Sequence, residues 1–240
     1  MCKDIILSGN YWQRFKDGGY SFLSWTFSRA PIERENINAN DKLINSMRIT
    51  SKCRFNAANR LSLRSKTSFF VTTMLSLGLI LIPLLQNSGV NLSFTSSVLN
   101  MLQIFLAVSV LIYSVTIGTA RYDLRSRELD DCGKKIKELI RKIRTHEGSG
   151  NNDISPIVNE YNQTLKESEG HSRADYQLAR LEMRSDYNIT GLLRVWHYSG
   201  YVVSYIFPYL LPFLFLASEL IFITDMLNIT HVLTPYLLVK

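Results

Sequence analysis

The chain has 240 residues, 46% of them hydrophobic, with 27 Lys/Arg against 20 Asp/Glu for a formal net charge of +7. That length admits one or two domains, and the mean hydropathy of +0.02 blends strongly apolar runs with strongly charged ones. Cys2, Cys53 and Cys132 are far apart and form no CxxC or Cys/His spacing, which excludes a sequence-evident disulfide framework or zinc site.

Residues 1–30 form an aromatic-rich N-terminal arm, with Tyr11, Trp12, Phe15, Tyr20, Phe22, Trp25 and Phe27 split by Gly18-Gly19. Lys3, Asp4, Arg14, Lys16 and Asp17 interrupt any apolar core, so the arm is not a signal peptide. It reads as a cap on a neighbouring domain or as a membrane-interface segment, where Trp and Tyr are favoured.

Residues 31–66 read as a basic cytoplasmic helix. Pro31 suits a first helical turn and Glu33 and Glu35 favour its N-terminal end. Ile37, Leu43, Ile44, Met47 and Phe55 recur loosely at helical spacing. Residues 1–66 carry 12 Lys/Arg against 5 Asp/Glu, whereas residues 120–195 carry 14 against 13. Basic segments beside a bilayer gain roughly 1 kcal/mol per charge from anionic lipid. Membrane lipid is therefore the expected partner, and direct nucleic-acid binding is disfavoured.

Residues 67–86 and 98–120 are two apolar runs joined by a connector, 87–97, that contains no charged residue. About 20 apolar residues suffice for a helix to cross the hydrocarbon core. Lys52, Arg54, Arg60, Arg64 and Lys66 precede the first run, and Arg121, Arg125 and Arg127 follow the second. Under the positive-inside rule this is a transmembrane hairpin with the connector outside and the N-terminus cytoplasmic. Ser68, Thr72 and Ser76 make a small polar stripe on the first span. On the second, Asn100, Gln103, Ala107, Ser114 and Gly118 stay within about 60° of one another on a helix surface. Such faces let membrane helices approach closely. Packing within the hairpin fits this pattern, and so does a surface used between subunits or lining a pore. No charge lies in either span, which argues against a proton relay or ion-coupled transporter.

Residues 121–195 read as a cytoplasmic helical hairpin. Leu129, Ile136, Leu139, Ile140 and Ile143 define an amphipathic helix continuous with the second span. After a turn at 148–153, Ile157, Val158, Tyr161 and Leu165, then Tyr176, Leu178 and Leu181, define a second helical run interrupted near Gly170. Residues 196–240 form an apolar C-terminal segment with Pro208, Pro212 and the acid Glu219 within 200–226. It reads as a third membrane helix kinked at the prolines; a re-entrant hairpin or an apolar flap is the alternative. The fold class is thus an all-α membrane protein: a transmembrane helical hairpin, a coiled-coil-like cytoplasmic helical module and a C-terminal apolar segment.

No HExxH, GxSxG, P-loop or dinucleotide fingerprint occurs, so no cofactor, metal or catalytic residue is expected. His171 and Asp175, four apart, read as a hydrogen-bonded surface pair rather than metal ligands.

The order of parts resembles a known family. The run "MRITSKCRFNAANRLSLRSKTSFFVTTMLSLGLI", residues 47–80, is similar to the approach to the membrane in the SLATT family of two-transmembrane effectors. The matching elements are Arg48–Thr50, the Arg-Phe-Asn-Ala core at 54–57 and Arg60-Leu61. The run "YNQTLKESEGHSRADYQLARLE", residues 161–182, is similar to the post-membrane pattern of the subfamily often encoded beside reverse transcriptases. Arg54, Asn56, Arg60, Tyr161, Glu169, His171, Asp175 and Tyr176 are the cytoplasmic motif positions it singles out.

The resemblance implies an antiphage-defence effector of the bacterial inner membrane, multi-pass and homo-oligomeric. A partner sensor, such as a reverse-transcriptase/DNA complex or a nucleotide-second-messenger system, would trigger it to permeabilise that membrane. The rival is a non-toxic anchor or scaffold that recruits a soluble partner through its cytoplasmic helices. A transporter or membrane enzyme is a third class, kept open only by Glu219.

Overall fold

A computed structural model describes residues 39–148, 154–184 and 186–237. The aromatic arm, the start of the basic helix and the turn at 149–153 lie outside the described residues. Apart from an isolated bridge at Tyr187, the regular structure among the described residues is helical.

Helix α1, Ala39–Asn87, carries the basic stretch and the first apolar run without a break. Helix α2, Ser96–Ala120, is the second apolar run, and α3, Tyr122–Gly148, follows after one residue. Helices α4 (Ser155–Lys166) and α5 (Arg173–Glu182) come next. Helix α6, Gly191–Met226, passes through Pro208 and Pro212, and a short α7, Thr234–Leu237, ends the described chain. The helices form two compact units, one of residues up to 57 with 128–205, the other of 58–127 with 206–240.

One expectation needs correction. The second span is not continuous with the helix that follows, because Arg121 adopts left-handed backbone, φ 46 and ψ 42. The carbonyl of Ala120 freed there accepts from the Arg125 guanidinium at 3.3 Å, which is how a helix end recovers a lost bond. The interruption expected near Gly170 is present, separating α4 from α5. The break at 167–172 is wide enough for α5 to start afresh with its own cap.

In the first unit, Cys132, Ile136, Leu139, Ile140 and Ile143 of α3 are buried against Ile157 and Tyr161 of α4 and Ile44 and Met47 of α1. A fully buried Leu or Ile contributes about 1.5–3 kcal/mol, so this seam is the unit's main source of stability. The contacts of α3 and α4 run antiparallel: Cys132 Sγ lies 3.9 Å from the Thr164 carbonyl and Lys142 pairs with Glu160 at 3.0 Å. A Cβ on Gly133 would sit 3.0 Å from the Phe55 ring, and Ser51 Oγ donates to the Gly133 carbonyl at 3.0 Å. The missing side chain lets α1 and α3 approach closely.

The second unit is built from the apolar parts of α1, α2 and α6. Ile82, Phe94, Leu99, Leu106, Phe222 and Met226 are buried together, with Phe94 stacked on Phe222 at 5.1 Å. Its outer surface is apolar: Phe69, Met101 and Phe207 are 75%, 77% and 73% exposed. A soluble surface does not display such an apolar belt; a bilayer solvates it. α1, α2 with α3, and α6 each contain a stretch long and apolar enough to cross a membrane.

Candidate functional site

The motif positions of the first unit converge where α5 lies on α1. Ser172 caps α5: its Oγ accepts from the Asp175 N–H at 3.3 Å, while Asp175 Oδ2 accepts from the Ser172 N–H at 2.9 Å and its hydroxyl at 2.7 Å. This reciprocal box satisfies orphan donors at the helix start. Asp175 is only 1% exposed, so it is not half of a surface pair with His171, as its spacing suggested. The sequence Ser-x-x-Asp was the available signal, and spacing to the histidine was the misleading one.

Asn56 of α1 donates its amide to the Asp175 carbonyl at 3.4 Å and to Glu182 at 3.5 Å. Tyr176 packs with Met183 and Tyr187 against Ile49, Cys53 and Ala179, and the Arg180 guanidinium lies over the Tyr176 and Tyr187 rings. Such cation–π contacts contribute about 0.5–1 kcal/mol where exposed. Lys52 pairs with Glu182 and Arg48 with Asp186. Tyr161 of α4 donates to Thr50 at 3.2 Å. Asn56, Tyr161, Asp175 and Tyr176 therefore join α1 to α4 and α5. Glu169 lies in the α4–α5 connection, and Arg60 belongs to the second unit.

The electrostatics here are those of a closed joint. Burial, reinforced by the Asp175 charge and opposed by Arg54, pushes the Cys53 thiol up to about 12, so it is inert rather than nucleophilic. Arg54 is buried, and its Nε and Nη1 have no hydrogen-bond partner among the described residues. The His171 ring stacks on Tyr176 at 6.3 Å. Partial desolvation and then the Arg54 charge hold its pKa below the ordinary value, against the pull of Asp175.

In the second unit, Val71, Leu75, Gly78 and Ile82 form the buried face of α1. Ser68 is buried on the same face and accepts weakly from Tyr113 at 3.5 Å. Thr72 and Ser76 donate to carbonyls four residues back, both at 2.8 Å. On α2 the inner positions are Leu99 and Leu106, whereas Asn100, Ala107, Ser114 and Gly118 are exposed and Gln103 half-buried. Nothing lies within 4 Å of where a Gly118 Cβ would be. Asn100 accepts from the Gln86 amide at 3.4 Å, at the connector end of the hairpin. Most of the α2 stripe thus points away from the hairpin interior. A cleft of about 380 Å³ between the helices is lined by Arg64, Ser68, Tyr113, Tyr122, Tyr209 and Pro212, among others.

Two acids of α6 face inward. Asp225 accepts from the Thr230 hydroxyl and from the backbone N–H groups of Val232, Leu233 and Thr234, closing the turn that follows the helix. Glu219, 4% exposed, lies against Gly78; a Cβ there would collide with Glu219 Oε1. Sequence reasoning noted Glu219 but could not place it. Gly78, an isolated glycine inside a helical run, was the overlooked sign of a close approach.

An apolar three-helix unit joined in sequence to a charged helical module defines an all-α membrane protein. The chain belongs to the SLATT family: it matches the SMODS and SLOG-associating 2TM effector domain family 5 over residues 37–223. It is accordingly a membrane effector. The match runs through Ile223, so it takes in most of the third apolar helix as well as the hairpin. No curated protein and no solved structure matches the chain.

Proposed function

We propose that this chain is a bacterial defence effector that oligomerises in the inner membrane and permeabilises it when a partner sensor triggers it, killing the infected cell without catalysing a reaction. The observation that carries the reading is the outward-facing stripe of Asn100, Ala107, Ser114 and Gly118 on α2. Small and amide side chains on the surface of a membrane helix give lipid little, but they let a second helix approach and hydrogen-bond. The effector family supports the same reading. In it, the N-terminus and the α3–α5 module are cytoplasmic. That module, held to α1 through Asn56 and Asp175, receives the trigger, a reverse-transcriptase/DNA complex or a nucleotide-second-messenger system.

The test is membrane potential in a bacterial host. Inducing the protein with its triggered partner should collapse the potential, and replacing residues 67–86 by a polyleucine helix should abolish the collapse while leaving insertion intact. A normal potential with the triggered partner present, together with co-purification of a soluble protein through residues 121–190, would establish the scaffold instead.

A further inference from the structure

Residues 67–120 contain no charge and neither do residues 195–218, and Glu219 is the acid that follows this charge-free run inside the third apolar helix. It shares the inward stripe of α6 with Pro212, Phe222 and Met226. Its Oε1 is buried without a hydrogen-bond partner among the described residues. On α1 it lies against Gly78, where a Cβ would collide with its carboxyl group. The next acid on α6, Asp225, is fully engaged by the turn it closes. A carboxyl used as interhelical glue would be bonded, and this one is not at Oε1. A leucine of similar size would fill the site without the penalty of an unsatisfied polar atom. An ionisable group kept inside a membrane at such a penalty marks an ion or substrate path.

We propose that Glu219 is the cation-selecting group of the permeation path, stowed against Gly78 at rest and turned into the water-filled path when the protein opens. This rests on the permeabilising reading above. Contributed once per subunit, the carboxylates would form an acidic ring, which attracts cations and repels anions. Gly78 is the latch seat: any side chain there collides with the far end of a flexible glutamate rather than with backbone. A methyl group should therefore expel the carboxyl and favour the open form.

The experiment uses the purified full chain in vesicles of phosphatidylethanolamine and phosphatidylglycerol under a potassium chloride gradient. Gly78→Ala should conduct more than the unsubstituted protein and prefer potassium over chloride by roughly tenfold. Adding Glu219→Gln, which keeps the shape, should remove most of that preference, and Glu219→Asp in its place should retain it. Conductance whose selectivity is unchanged by Glu219→Gln overturns the assignment and leaves the permeabilising reading standing. Absence of conductance in Gly78→Ala also overturns it, and depolarisation of cells by the triggered protein then decides separately whether permeabilisation itself survives.

Discussion

The hydroxyl of Ser93 donates to the main-chain carbonyl of Asp225 at 2.9 Å, and the Ser93 N–H donates to the Met226 carbonyl at 3.1 Å. The connector between the first two apolar helices is thereby tied to the end of the third. If the hairpin crosses the membrane, the third helix crosses beside it and the C-terminal turn emerges on the connector side. After replacement of the natural cysteines, single cysteines at positions 90 and 231 should both react with a membrane-impermeant thiol reagent from outside, and one at position 130 should not. Labelling at 90 with protection at 231 would contradict a third crossing.

Asp225→Ala should unravel the turn at 228–234. The carboxylate holds the Thr230 hydroxyl and three backbone N–H groups, and a hydrogen bond to a charged group is worth about 1.5–3 kcal/mol net. A net loss of about 2–4 kcal/mol is expected. Limited proteolysis of the detergent-solubilised protein should show new cleavage after residue 226, and unchanged protection would refute it.

The cap of α5 gives a graded prediction. Ser172→Ala should cost about 1 kcal/mol, the usual worth of an N-cap. Asp175→Ala should cost more, about 2–3 kcal/mol, because it leaves the Ser172 N–H and hydroxyl unsatisfied next to a packed surface. Denaturant unfolding followed by circular dichroism would check the order; equal effects would mean the box is not what fastens α5.

Protonation of His171 should loosen the same joint. Its pKa lies below the ordinary value of about 6.5 through desolvation and the Arg54 charge. The unfolded chain therefore takes the proton first as pH falls. The stabilisation is complete above about pH 6.5 and is lost as pH drops from there toward the folded-state value. The unfolding midpoint at about pH 7.5 should exceed that at about pH 5.5, and His171→Gln should narrow the gap. A gap unchanged by the substitution would assign the pH dependence to other groups.

Replacing Asn100 and Gln103 together by leucine should leave insertion intact, since both changes raise apolarity. Interhelical amide bonds contribute about 0.6–2 kcal/mol in membranes, so the variant should cross-link less into oligomers and depolarise cells less. Full activity at equal expression would reduce the stripe to surface decoration.

Much of this protein is legible in its sequence because the relevant physics is local. A charge-free window of about 20 residues suits hydrocarbon whatever its neighbours do, so residues 67–86, 98–120 and 201–218 declare themselves. In water, a helix buries one stripe, so Leu129, Ile136, Leu139 and Ile143 reveal the packed face of α3 by period alone. Within lipid that signal vanishes, because both faces of a membrane helix are apolar and its rotation is set by contact with other helices. Only the tertiary structure could therefore turn Leu99 and Leu106 inward and Asn100 and Ser114 outward, or seat Glu219 on Gly78, 141 positions away in the chain. The same holds for Asp175: its spacing to His171 is a local fact, but its burial depends on Asn56 and Cys53 arriving from α1.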